Sequence, residues 1–254
     1  MKKVTGESSV WVHAVSFAAA VVFLALLLGW SFQQGNHEWN WAALAPYWPK
    51  FVRGWWVTLG VSAAAMVCSV AVGLLAALAR RQPFLPLRYL SLIYTEVIRG
   101  TPLLVQILIF YYVIADSFGL ENRYVAGVLI LSLFSGAYLA EIFRSGIESV
   151  PASQIESARA IGLGPWQIYR LVIFPQALRQ SLPPLAGQFA SLVKDSSLLY
   201  VISIQELTLS AQEVNSFTYS TLESYIPLAV GYLLITLPLT AWTRSLEAKA
   251  AYET

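Results

Sequence analysis

The chain has 254 residues, 57% of them hydrophobic and only 12% charged, with a mean hydropathy of +0.61. A soluble domain carries about 25% charged residues, so this composition excludes an ordinary water-soluble fold and belongs in a bilayer. The formal net charge is +2 and its basic residues are dispersed rather than striped along one face, which excludes a nucleic-acid binder; the single cysteine, Cys68, excludes an internal disulfide.

The first apolar run is Val10 to Trp30, preceded by Lys2 and Lys3. It exceeds the roughly 7 to 15 apolar residues of a secretory signal and no Ala-x-Ala site follows, so an uncleaved first span is expected. His13 and His37 have no carboxylate or second histidine at ligand spacing and offer no metal site. The polar, tryptophan-rich stretch "SFQQGNHEWNWAALAPYWPKFVRGWW" suits a membrane-water interface. Val57 to Ala79 is long enough for a second span, given that about 20 apolar residues cross the hydrocarbon core, and Cys68 within it reads as a small core residue.

After "RRQPFLPLR", the segment "YLSLIYTEVIRGTPLLVQILIFYYVIA" is about one and a half spans long and contains Glu96, Arg99 and Pro102, which predicts a broken helix. A fourth span runs from Tyr124 to Ala140, where Ser132, Gly136 and Ala140 share one helical face and predict close packing on a neighbouring helix. The fifth, Gln180 to Ile204, is interrupted by "KDSS" at 194 to 197, and the sixth, Tyr225 to Thr243, contains Pro227 and Pro238.

Six crossings place both termini on one side. Eleven basic residues (Lys2, Lys3, Arg80, Arg81, Arg88, Arg144, Arg159, Arg170, Arg179, Arg244 and Lys249) fall on that side, against Lys50, Arg53 and Arg123 opposite, so the termini are expected in the cytoplasm. Glu38, Asp116, Glu121, Glu206, Glu213 and Glu223 fall in the outer loops, compatible with docking something outside or with plain solvation.

The loop from Phe143 to about Arg179 then lies in the cytoplasm. Pro151 opens a short helix, "PASQIESARAI", that Gly162 stops, and Pro165 opens a second, "PWQIYRLVIF", that ends at Pro175. Helices below about 12 to 15 residues are marginal alone in water, so both need support. Ala158, Ile161, Leu163, Trp166 and Tyr169 leave apolar surface around the turn. Two readings of it stand side by side: packing onto the chain's own helices, or docking of a cytoplasmic partner.

These residues resemble the cytoplasmic signature of the permease subunits of ATP-binding-cassette importers, in the branch that carries polar amino acids. The signature is Glu-Ala-Ala, three residues, Gly, nine residues, then Ile-x-Leu-Pro; here it stands as Glu156, Ser157, Ala158, Gly162, Val172, Phe174 and Pro175. "FRSGIESVP", "IRGTPLLVQ" and "LVKDSSLLYVISIQEL" are similar to the same branch, and the matches cover most of Val57 to Thr243. The resemblance implies an all-α type I importer transmembrane domain over 55–246, with an added span and outer loop in 1–54, a coupling loop at 143–179 and a cytoplasmic tail at 247–254. It further implies docking of an ATPase subunit dimer on Glu156, Ser157, Ala158, Gly162, Leu163 and Pro165, with ATP and magnesium held by that partner and no cofactor in this chain. A second permease subunit, the same chain or a paralogue, and a periplasmic amino-acid-binding protein complete the implied assembly.

No glycine precedes a lysine, so the phosphate-cradling Gly-x-x-x-x-Gly-Lys-Ser/Thr loop is absent, as are Gly-x-Ser-x-Gly and His-Glu-x-x-His; no enzyme activity is expected of this subunit. Charges inside a span cost roughly 2.5 to 3.5 kcal/mol at a helix centre, so Glu96, Arg99, Glu141, Lys194 and Asp195 demand partners or a wet cavity. Glu96 and Arg99 are three apart and are expected to pair; Lys194 and Asp195 are adjacent and point apart. Breaks at 100–102 and 194–197 free backbone groups that bind polar solutes, which places a candidate path at Glu96, Arg99, Gln106, Gln188, Lys194, Asp195 and Ser196. Glutamate or glutamine is the favoured cargo, with a cationic amino acid, cystine or an opine as alternatives. An ATP-independent carrier or channel would use the same breaks without needing the cytoplasmic helix pair.

Overall fold

A computed structural model describes residues 7–34 and 38–251, in two units that divide after Trp41. The N-terminal unit holds α1 (Glu7–Gln34). Its described apolar side chains, among them Trp11, Phe17, Phe23, Leu26 and Trp30, are exposed on all sides of the helix, the pattern of a segment suited to lipid. The expected first span therefore falls on a helix; His37 lies outside the described residues, as does the side chain of His13.

A 3-10 turn (Trp41–Tyr47), all but its first residue in the second unit, feeds α2 (Trp48–Arg80), whose buried stripe is small: Thr58, Ser62, Ala65, Ser69, Gly73 and Ala76. Opposite lies α5 (Arg123–Glu148), and Ser132, Gly136 and Ala140 form its side of the contact. A Cβ on Gly136 would stand 2.7 Å from Val72 Cγ1, and one on Gly73 would stand 2.7 Å from Leu139 Cβ. Ser132 Oγ donates to Val128 O at 2.5 Å and lies 3.2 Å from Ala65 O across the interface. The expected small-residue face thus closes on a helix of the same chain. Cys68 falls off the edge of the α2 stripe and is exposed, which corrects its reading as a core residue.

The broken helix is present as α3 (Leu85–Gly100) and α4 (Leu103–Ile109), bent by 113° at Thr101-Pro102. A π-helical turn (Phe110–Ala115) extends α4. After α5 come α6 (Ala152–Ala160), α7 (Pro165–Ile168), a π turn (Tyr169–Ile173) and α8 (Phe174–Asp195). The second cytoplasmic helix was expected to end at Pro175; instead the helix runs on from Pro165 into α8. The wide π turn just upstream shifts the hydrogen-bond register, and Pro175 occupies one of the first positions of α8, where its missing N–H costs little.

The "KDSS" interruption is confirmed: α8 stops at Asp195, a 3-10 turn (Ser196–Ile202) follows, and Ser203 takes a left-handed φ of 59°. Then come α9 (Leu207–Thr218) and α10 (Thr221–Ala251), the latter carrying Pro227 and Pro238 inside. Leu103 and Ile107 of α4 join Ile130, Leu131, Leu192 and Leu199 in the main core, so the two interrupted segments meet. Among the described residues Trp41–Arg80, Arg123–Glu148 and Thr221–Ala248 are long and apolar enough to cross a membrane, and the bent pair makes a fourth. α8 is not among them; it packs against α2, α5 and α10, and a helix shielded by neighbours needs less apolar surface.

Candidate functional site

The loop after α5 is built as a rigid turn. Gly162 N donates to Arg159 O at 3.0 Å and Leu163 N to Ala158 O at 3.1 Å, the bond pair of a Schellman stop, with Gly162 at φ +85°. Pro165 starts α7, and Gln167 Oε1 turns back to accept the Gly164 N–H at 2.8 Å. Gln176 Nε2 donates to Gln154 Oε1 at 2.7 Å and to Val172 O at 2.9 Å, so α6 leans on the segment that leads into α8. The support that such short helices need comes from one another.

The apolar residues of this turn divide. Ala158 and Ile168 are buried and Leu163 and Tyr169 half-buried, whereas Ile161 is 78% and Trp166 70% exposed. Trp166 stacks on Tyr169 with ring centroids 6.1 Å apart, which fixes the indole in place. Glu156, Ser157, Gly162 and Pro165 lie on the exposed surface beside it. The turn therefore presents an ordered apolar patch with a polar rim.

The candidate path residues behave differently from one another. Gln106 is buried, and its Nε2 donates to Ile98 O at 2.7 Å, Thr101 O at 3.1 Å and Thr101 Oγ1 at 2.8 Å. It caps the broken end of α3. Ser196 Oγ donates to Val193 O at 2.8 Å and closes the end of α8 in the same manner. Gln188 Nε2 reaches Ser135 Oγ at 3.3 Å, Lys194 is exposed and Asp195 half-buried.

Glu96 and Arg99 do not pair as expected. Arg99 faces Glu141, Nη1 to Oε2 at 3.8 Å, and lies 5.5 Å over the Tyr138 ring, while Glu96 is exposed. Glu141 also accepts from Arg80 through Oε1 and from Arg144 through Oε2, with Nη2 at 2.8 Å and Nε at 3.0 Å. One carboxylate thus gathers three guanidinium groups from α2, α3 and α5; sequence spacing reveals only the i,i+3 pair with Arg144, because Arg80 and Arg99 come from other helices.

Of the six acidic residues expected in the outer loops, Glu38, Asp116 and Glu121 are exposed, but the other three are not plain solvated groups. Glu213 pairs with Lys50, and Glu206 and Glu223 are wholly buried. Glu206 caps α9: Oε1 accepts from Leu209 N at 2.8 Å, and Oε2 from Thr208 N at 2.7 Å and from the Tyr232 hydroxyl at 3.1 Å. Burial pushes its carboxyl up from 4.5 to about 7, against the opposing pull of those donors.

Residues 69–252 match the family described as binding-protein-dependent transport system inner membrane component. The chain belongs to this family. It is 36% identical over 214 residues to the glutamine transport system permease protein GlnP of Escherichia coli K12, covering 84% of this chain and 98% of the relative. It is 37% identical over 190 residues to the L-cystine transport system permease protein TcyB of Bacillus subtilis 168, covering 74% of this chain and 81% of the relative. Among solved structures, an amino acid ABC transporter crystallised with histidines matches with a TM-score of 0.78 and 36% identity over 84% of this chain and all (100%) of that one. This inner membrane component is all-helical throughout its described residues, as the resemblance implied. The family match begins inside α2, so α1 and the tryptophan-rich stretch lie outside it.

Proposed function

We propose that this inner membrane component is the permease subunit of an ATP-driven importer for a polar L-amino acid, with glutamate or glutamine favoured. ATP and magnesium are held by a separate ATPase subunit dimer. That partner docks on the 143–179 loop through Glu156, Ser157, Ala158, Gly162, Leu163 and Pro165, with Ile161 and Trp166 as its apolar anchors. The observation that carries this reading is the exposed Ile161 and Trp166 on a hydrogen-bonded turn that the chain itself holds rigid. A carrier driven by an ion gradient has no use for that surface, and tryptophan in an ordered apolar patch is a favoured interface anchor.

A second permease subunit and a periplasmic binding protein complete the assembly. The chain crosses six times, through α1, α2, the α3–α4 pair, α5, α8 and α10, with both termini in the cytoplasm. Gln106 and Ser196 serve as caps of the two helix breaks and Arg99 is held by Glu141, which leaves Glu96, Gln188, Lys194 and Asp195 as the polar groups best suited to the path. The test is ATP-dependent uptake into vesicles holding the chain with its co-purified ATPase subunit, competed by a panel of amino acids. Glutamine or glutamate is expected to compete best. Uptake that persists without ATP, or no ATPase subunit on purification, would sink the reading.

A further inference from the structure

Glu141 stands where three helix ends converge. Arg80 is the last residue of α2, Arg99 the last but one of α3, and Arg144 lies one turn further along α5, where its Nη1 also reaches Glu148 at 2.5 Å. The Glu141 side chain is only 17% exposed. Charges in such a partly buried site act on one another more strongly than in water and are screened less by salt. Both of its oxygens are engaged, and three guanidinium groups face two carboxylates. Without the Glu141 charge, three like charges would share the site with only Glu148 to offset them.

The position of the cluster in the chain gives it a direction. Arg99 immediately precedes Gly100 and the 113° break, whose far side is α4 in the main core. Glu141, Arg144 and Glu148 form the last two turns of α5, directly ahead of Pro151 and α6. One carboxylate therefore grips both the stem of the cytoplasmic loop and the edge of the helix break.

We propose that Glu141 is a positioning residue that passes movement of the 143–179 loop to the α3–α4 break, so that events at the ATPase subunit are felt at the path. This rests on the transport reading above. Glu141 is neither among the candidate path residues nor part of the docking surface; it acts through Arg80, Arg99 and Arg144.

The measurement is the number of amino-acid molecules taken up per ATP hydrolysed, in vesicles containing the full assembly. Glu141→Gln keeps the shape of the side chain and removes its charge. Its ratio is expected to fall at least ten-fold while membrane insertion and retention of the ATPase subunit stay within two-fold of wild type. Glu141→Asp, which keeps the charge, should recover more of the ratio than glutamine does. Arg99→Gln, which leaves no buried charge unpaired, should lower the ratio at least three-fold and decides the matter if the glutamine variant fails to insert. An unchanged ratio in these variants, beside a wild type that transports, overturns the role of Glu141 alone. Loss of ATPase-subunit retention in step with loss of uptake overturns it too, because the residue would then be merely structural. A wild type without ATP-driven uptake would instead overturn the transport reading from which the inference starts.

Discussion

Leu163 donates its backbone N–H to the carbonyl of Ala158 at 3.1 Å, and this bond closes the turn between α6 and α7 only because Gly162 between them adopts φ +85°. A β-branched residue at that angle is strained by roughly 1–2 kcal/mol. Nothing lies within 4 Å of a Cβ built on Gly162, so the penalty is one of backbone angle and not of crowding. Gly162→Val should insert normally and lose ATPase-subunit retention or coupled ATP hydrolysis, with Glu156→Ala milder. Normal retention and hydrolysis in Gly162→Val would remove the loop from its docking role.

Glu206 predicts a pH dependence of stability. Its carboxyl, at about 7 in the folded chain, lies above its ordinary 4.5, so the folded state holds the proton more tightly than the unfolded one. Stability contributed by the protonated form is complete below about 4.5 and is lost as pH rises towards 7, by about 3 kcal/mol over the window. The melting temperature of the purified chain should fall between pH 5 and 8, and Glu206→Gln should flatten that fall. An equal slope in both proteins would contradict the assignment.

Close packing of α2 on α5 predicts intolerance at Gly136. The nearest atoms to an added Cβ are Val72 Cγ1 at 2.7 Å and Val72 Cβ at 2.9 Å, both on a stiff branched side chain. Gly136→Val should destabilise by about 1–3 kcal/mol through overpacking, read as a lowered melting temperature, and Gly136→Ala by less. Gly60, with nothing near its Cβ, should accept alanine without loss and serves as the control.

Gln106 should prove structural. Gln106→Leu leaves Ile98 O and Thr101 O without their side-chain donor at the break. Leaving a buried acceptor unpaired costs about 1–3 kcal/mol, so this variant should melt lower and lose uptake of every amino acid alike. A change of substrate preference with an unchanged melting temperature would return Gln106 to the path.

Lys194 and Asp195 carry the opposite expectation. Either one changed to alanine should alter the rate of uptake or its order among competing amino acids while subunit assembly stays intact. Normal transport with unchanged selectivity in both would show the path to lie elsewhere.

Much of this architecture can be read from residue order because lipid demands long apolar runs, and small residues every fourth position demand a close neighbour. Gly162 was legible for the same kind of reason: a short amphipathic stretch bounded by proline and glycine has few ways to turn. What escaped was contact between segments far apart in the chain. Glu141 finds Arg80 and Arg99 only once three helices are assembled, and Arg99 is thereby drawn away from Glu96, its neighbour in sequence. Glu206 looked like a solvated loop acid because a helix cap buried under Tyr232 leaves no periodic trace. Pro175 looked like a stop because the π turn before it has no signature in composition.

That π turn has a mechanical meaning. It joins α7 to α8 without a linker, so the chain from Pro165 to Asp195 is one continuous run of helix, with Pro183 and Pro184 inside it, about 46 Å along its contour at 1.5 Å per residue. For a straight rod of that length, a tilt of about 5° at one end sweeps the other through about 4 Å, roughly three quarters of a helical turn. Trp166 rides at the near end and Asp195 at the far end. A flexible joint between them would dissipate such a rotation; a continuous helix delivers it, magnified by the length of the arm.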